Sequence, residues 1–227
     1  MTQSHLGYDV KTYGNEGESV VVIDNFSHDY DALLKTGQTC HYTPKSKFYP
    51  GVQSQANGHY LALRGEMLLG IMREVYNNPN GMNLESCVYS LVSKPTEALN
   101  PMQRIPHFDS QDNKLFALLH YMQGPIDSGT AFYRHKSTGF ETITPERAQA
   151  YQTALDADME KSGGPEQGYI CGDTPAFELL LKIDAHPNRA ILYRGNTLHS
   201  GIIPKTMPLT TDPLKARMTL NAFIWAV

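Results

Sequence analysis

A mainly β fold with flanking helices, a sandwich or barrel carrying N-terminal helices against one sheet, is what this sequence predicts. Three observations predict it. Residues 61–76 carry a helical stripe, Leu68, Ile71, Met72 and Val75, at i, i+3, i+4 and i+7. From residue 84 the chain changes to short apolar and β-branched runs separated by Gly, Pro and Asn, six or seven in number. At 227 residues, 41% hydrophobic and 19% charged, it suits one domain with a real core.

Taken in order, residues 1–17 are polar and Gly-rich and read as a poorly tied arm, leaving 18–227 as the single folded domain. Glu18-Ser-Val-Val-Val-Ile-Asp24 reads as a buried strand. A short helix is expected over Asp29 to Lys35, irregular chain over 36–60, and a helix over Leu61 to Tyr76 whose trailing loop closes at Gly81. Strands are expected over Glu85 to Val92, Met102 to His107, Lys114 to Met122 and Thr130 to Arg134. A helix interrupts over Pro145 to Lys161, with Thr144 at the N-cap, Pro145 in the first turn and Gly163-Gly164 at the exit. Strands resume over Phe177 to Ala185, Ala190 to Arg194 and Arg217 to Val227.

Bulk properties exclude several classes. A net charge of −4 gives no basic footprint for nucleic acid. No apolar run approaches the ~20 residues that span a bilayer. The N-terminus lacks the basic and apolar regions of a signal peptide, so a cytoplasmic protein is expected. Cys40, Cys87 and Cys171 are three, far apart and without a C-x-x-C pattern, and read as free thiols.

Of nine histidines only His107 has a carboxylate two places on, in Arg104-Ile-Pro-His-Phe-Asp109. On a strand, residues i and i+2 share a face, so His107 and Asp109 can reach one ion. His199, in Tyr193-Arg-Gly-Asn-Thr-Leu-His-Ser-Gly201, is the expected third ligand. Two imidazoles and one carboxylate form the facial triad that holds non-haem Fe(II) and leaves coordination positions open. The bland readings are a strand-edge histidine beside a solvated aspartate, and a turn histidine at 199. Arg217 opens an otherwise apolar C-terminal strand as its lone cation; its bland reading is a surface ion pair.

The pattern resembles the Fe(II)/2-oxoglutarate-dependent dioxygenases, in particular the prolyl-hydroxylase-like branch and a little-characterised bacterial subgroup of it. The resemblance rests on His107/Asp109, Leu118-Leu-His-Tyr121, Ser128-Gly-Thr-Ala-Phe132, His199 and Arg217, and more loosely on Val20-Val-Val-Ile-Asp-Asn-Phe26. It implies a double-stranded β-helix (jelly roll, cupin-like) with Fe(II) on His107, Asp109 and His199, and with 2-oxoglutarate and O₂ as co-substrates. It implies that Arg217 anchors the far carboxylate of 2-oxoglutarate, that the Tyr121 hydroxyl assists, and that the outcome is hydroxylation with release of succinate and CO₂. Two spacings depart from the branch. Eighteen positions separate His199 from Arg217, with Pro204, Pro208 and Pro213 between, and the interval from Asp109 to His199 is long enough to hold the helix near 145–161.

Arg194 is the fallback cation. Tyr133, Arg134 and His135, together with Arg194, are the expected substrate contacts, because the first three end a strand expected to run to the metal opening. His120 should face away from Tyr121. The Gly- and Pro-containing segments 36–60 and 135–175 are expected to border that opening and one of them to close over substrate, 135–175 as an insertion with a helix. The substrate is expected to be a small molecule, amino acid or peptide, with no nucleic-acid or membrane partner. Oligomeric state is left open, a homodimer included. Two rivals use the same scaffold: a non-catalytic metal- or ligand-binding cupin-like protein, and a zinc-dependent hydrolase, which would require a further carboxylate as general base.

Overall fold

Val20, Val21, Val22 and Ile23 are all buried, and a strand apolar on both faces needs cover on both sides. The computed structural model, which describes residues 7–45 and 48–227, supplies that cover in four layers. The large sheet is built from β1 (Asp9–Tyr13), β2 (Glu18–Ile23), β3 (Gly51–Gln55), β4 (Met82–Val92), β5 (Leu115–Gln123), β8 (Ala190–Arg194) and β10 (Met218–Ala226), in the order β1-β2-β8-β5-β10-β4-β3. The small sheet is β7 (Phe177–Ile183), β6 (Thr130–His135) and β9 (His199–Gly201), in the order β7-β6-β9. Every pairing is antiparallel.

Side-chain parity divides the core. Val21, Ile23, Phe116, Leu118, Leu192, Met218 and Leu220 face outward, against Leu68, Ile71 and Met72 of α2 (Gly65–Glu74) and the apolar side of α1 (Tyr30–Thr39). Their alternates, Val20, Val22, Ala117, Tyr121, Ile191 and Tyr193, face inward and meet Phe132 and Ile183 of the small sheet. The outer face of the small sheet, with Ala131, Tyr133 and Phe177, is covered by Tyr151 and Leu155 of α3 (Pro145–Ser162). Each large side chain so buried contributes roughly 1.5–3 kcal/mol before entropy is counted. The architecture is a double-stranded β-helix with two N-terminal helices on its large sheet, as expected. No helix among the described residues is long and apolar enough to cross a membrane.

Several elements correct the sequence reading. The arm is not loose beyond residue 8: β1 pairs with β2 along its length, Tyr13 is buried, and Glu16 bonds the 141–142 backbone and Arg147. Its polar sequence hid it, since an edge strand needs only one apolar contact row. Residues 1–6, His5 included, lie outside the described residues, as do 46 and 47. Residues 36–60 contain β3, masked by the polar run Gly-Val-Gln-Ser-Gln in which Val52 alone is buried. The helix expected at 61–76 begins as a 3₁₀ turn at Gly58–Arg64, capped by Asn57, before α2 proper.

The strand expected at 102–107 is instead a 3₁₀ turn over Pro101–Arg104. Asn100 and Gln103 cap each other reciprocally and Pro101 sits in its first turn. Only beyond it does the chain extend, His107 making an isolated bridge to His199. Tyr151 packs on Phe108, ring centroids 6.2 Å apart, so α3 buttresses the segment between His107 and Asp109 from behind.

Candidate metal and co-substrate centre

Backbone pairing brings the histidines together. His107 N–H donates to His199 O at 2.9 Å and His199 N–H to His107 O at 2.8 Å, which sets both side chains on one face. Asp109 is pinned separately: its N–H donates to Gly195 O at 2.7 Å, in the turn that leaves β8. Gly195 permits this approach, because a Cβ there would lie 3.4 Å from the Asp109 Cβ and 3.2 Å from Leu115 O.

His107, Asp109 and His199 each offer a ligand atom, and these atoms lie within 4.8 Å of one another. His199 Nε2 is 3.5 Å from Asp109 Oδ2, and His107 Nε2 is 3.8 Å from Asp109 Oδ1. Ligands of one ion at ~2 Å each fit within this spread. The His199 Nδ1–H points at Thr197 O, 2.9 Å away, which leaves Nε2 unprotonated for a metal. No such acceptor serves His107 among the described residues; its ring edge is open to solvent.

Electrostatics agree with a cation site. Burial pushes the pKa of His199 down to about 4, so the imidazole is neutral. That of His107 is lowered by desolvation and by the imidazole of His199, against the opposing pull of Asp109. Burial pushes Asp109 up to about 6, partly offset by His107. Neutral imidazoles and an under-compensated carboxylate are the donor set a divalent cation stabilises.

The inner face of the large sheet continues from this point. Tyr193 meets His199 and Phe132 edge-on, ring centroids 4.8 and 5.1 Å away; burial raises the pKa of its hydroxyl, with Asp109 adding to the rise and Arg217 opposing it. Sequence reasoning did not single out Tyr193; its alternation with Ile191 on the inward face of β8 was the available signal. Arg217 is buried, donates from Nε to Ser128 O at 2.7 Å, and lies 5.7 Å over the Tyr121 ring. Among the described residues no carboxylate stands within ion-pair distance of it. Tyr121 is buried beside it, but its hydroxyl donates to Thr130 Oγ1 at 2.8 Å and is occupied.

The other candidates are placed elsewhere. Arg194 shares the outward face with Leu192, donates to Tyr76 O at 3.0 Å and lies over the Tyr76 and Phe116 rings, so it is no substitute for Arg217. Tyr133 and His135 point to the outer face of β6 and are buried beneath α3; His135 meets Thr138 and Asp158. Arg134 is held by Glu141 and Glu178, at 2.6 Å each. Strand parity turns Tyr133 and His135 away from the metal face, which corrects their reading as substrate contacts; Arg134 has the inward parity of Phe132 but is taken up by its two ion pairs. His120 faces away from Tyr121 as expected, buried against Asn188. The excess between His199 and Arg217 is a loop that packs Ile203 and Met207 against Val92.

Comparison with known proteins agrees with this architecture. The epimerase SnoN of nogalamycin biosynthesis is similar at 10% identity and TM-score 0.54, over 92% of this chain and 78% of that one. HygX from Streptomyces hygroscopicus, with nickel, 2-oxoglutarate and hygromycin B bound, is similar at 13% identity and TM-score 0.54, over 93% and 84%. The carbocyclase SnoK of nogalamycin biosynthesis follows at 12% identity and TM-score 0.51, over 92% and 79%. At such identities the likeness shows the fold: that of non-haem, 2-oxoglutarate-dependent enzymes. The chain itself belongs to a family of unknown function, DUF6445, whose model matches residues 4–224. No curated protein matches it.

Proposed function

We propose that this protein is an Fe(II)- and 2-oxoglutarate-dependent oxygenase, most simply a hydroxylase, acting on a small molecule, amino acid or peptide. One observation carries the reading: a three-ligand cluster and a buried arginine with no carboxylate partner among the described residues line the same sheet interior, both within electrostatic reach of the Tyr193 hydroxyl. The residues fit the groups. Two neutral imidazoles and one carboxylate suit Fe(II) and leave positions open, and a planar guanidinium suits a carboxylate through paired hydrogen bonds. The neighbours SnoN, SnoK and HygX, described as α-ketoglutarate-dependent or holding 2-oxoglutarate, support the choice of co-substrate.

Bound Fe(II) with 2-oxoglutarate and O₂ would supply oxidising power, releasing succinate and CO₂. The protein's own part is placement. Thr197 O fixes the His199 tautomer, Gly195 O fixes Asp109, and Arg217 orients the acid. Phe132, Ile191 and Tyr193 keep the interior apolar and exclude water, which strengthens each electrostatic contact.

The test is a screen of amino acids, peptides and small metabolites for stimulated succinate formation by the Fe(II)-loaded protein. Substrate-dependent succinate supports the reading. Hydrolysis by zinc-loaded protein without 2-oxoglutarate, or ligand binding with no turnover across the screen, would favour the rivals.

A further inference from the structure

We infer that the Tyr49 hydroxyl is the second anchor, beside Arg217, for the far carboxylate of the bound acid; this rests on the reading proposed above. Sequence reasoning gave that place to Tyr121, but the Tyr121 hydroxyl is donated to Thr130. The spare donor comes from another element.

Strand register brings Tyr49 to Arg217. Gly51 of β3 stands opposite Val92 of β4, and Leu91 stands opposite Met218 of β10. Arg217, one residue before Met218, therefore enters the row of Val92 and Gly51. Tyr49 lies two residues before Gly51, and the chain between them is tightly folded, Gly51 N–H donating to Tyr49 O at 2.9 Å. Only glycine fits that bend. A Cβ at Gly51 would lie 1.9 Å from Leu91 O and 3.0 Å from the Tyr49 ring. The ring is thereby laid over the end of the sheet and packs on Val92, Ile203 and Met207.

At the tip of that ring the hydroxyl is buried and has no hydrogen-bond partner among the described residues. Ser90 is close, but its Oγ already accepts from Gln53 Nε2 at 3.1 Å and Asn221 Nδ2 at 3.2 Å. Burial pushes the pKa of the Tyr49 hydroxyl up to about 12, against the opposing pull of the Arg217 charge and of the nearby Ser90 hydroxyl, whose approach does not reach hydrogen-bond geometry. Buried donors are almost always satisfied in folded proteins, so an orphan of this kind points to a missing acceptor. A carboxylate on Arg217 retains lone pairs after a bidentate contact and can take a further donor. The orphaned donor and the unpaired cation are thus two halves of one anion site. It selects an acid with a second carboxylate over a mono-acid of the same length.

The experiment is calorimetric titration of the Mn(II)-loaded protein, wild type and Tyr49→Phe, with 2-oxoglutarate and with 2-oxopentanoate, which replaces the far carboxylate by a methyl. Tyr49→Phe should weaken 2-oxoglutarate about 10-fold or more, the worth of a hydrogen bond to a charged group. It should leave 2-oxopentanoate unchanged. Melting of the metal-free variant should stay level or rise, since an unpaired buried hydroxyl is removed; a structural bond to Ser90 would make it fall. Equal 2-oxoglutarate affinity in both proteins, or equal loss for both acids, would overturn the role of Tyr49 while leaving the oxygenase reading standing. No metal-dependent binding of either acid to wild type would instead sink that reading, and this inference with it.

Discussion

His107 and His199 exchange two backbone hydrogen bonds, and their imidazole centroids stand 4.3 Å apart. The metal-binding face is therefore set by main chain. A side-chain change at one ligand removes a donor without unfolding the frame. Asp109→Ala should lower metal affinity by more than the about 10–100-fold that loss of a supporting hydrogen bond costs. Its melting temperature without metal should remain close to wild type. Metal content after dialysis and a thermal melt check both halves.

Gly195 sets how closely the turn after β8 approaches Asp109. Gly195→Val forces a branched side chain into a space where a single Cβ already meets Asp109 at 3.4 Å and Leu115 O at 3.2 Å. Overpacking of this kind costs about 1–3 kcal/mol. The variant should lose metal affinity out of proportion to that cost, since Asp109 moves. Equal metal affinity at reduced stability would show that the approach is only structural.

Arg217 should matter to the acid and not to the metal. Arg217→Ala is expected to weaken 2-oxoglutarate by ~2–5 kcal/mol, because a carboxylate would be left without its partner. Mn(II) affinity should stay within a few-fold. Arg194→Ala, on the opposite face, should change neither, and a loss of 2-oxoglutarate binding in that variant would reverse the assignment.

His120 predicts a pH dependence of stability. Burial holds its pKa down to about 4 in the folded protein, against 6.5 for a free imidazole. Between those values the unfolded chain binds the extra proton, so stability rises with pH across that window. It is fully present above about 6.5 and is lost as pH falls towards 4, by roughly 3 kcal/mol in all. His120→Gln keeps a donor for Asn188 and removes the titration. Denaturant unfolding from pH 4 to 7 should show its slope reduced by up to about 1.4 kcal/mol per pH unit; an unchanged slope would refute the assignment.

The triad was legible because its signal is local chemistry. His107 and Asp109 share a face by parity, and His199 and Arg217 follow in the order a family pattern expects, at longer spacings. Less legible was anything decided by capping or by the far side of a strand. Asn100 and Pro101 turned an expected strand into a 3₁₀ turn, and the metal segment reaches its extended form through pairing of His107 with His199, far along the chain. Parity could have separated Tyr193 from Arg194 and turned Tyr133 and His135 outward, had the inward face of each strand been known. β1 and β3 were hidden by polar sequences that strand pairing overrides, in a local hairpin for β1 and with a distant partner for β3. Tyr49 had no signal, because its place depends on β3 lying beside β4.

A crystal structure of the protein grown with Mn(II) and 2-oxoglutarate tests the central claim most directly. The account predicts one metal on Nε2 of His107, Nε2 of His199 and the Asp109 carboxylate, with the acid's far carboxylate on the Arg217 guanidinium. A metal bound elsewhere, or an acid that leaves Arg217 unpaired, would contradict it.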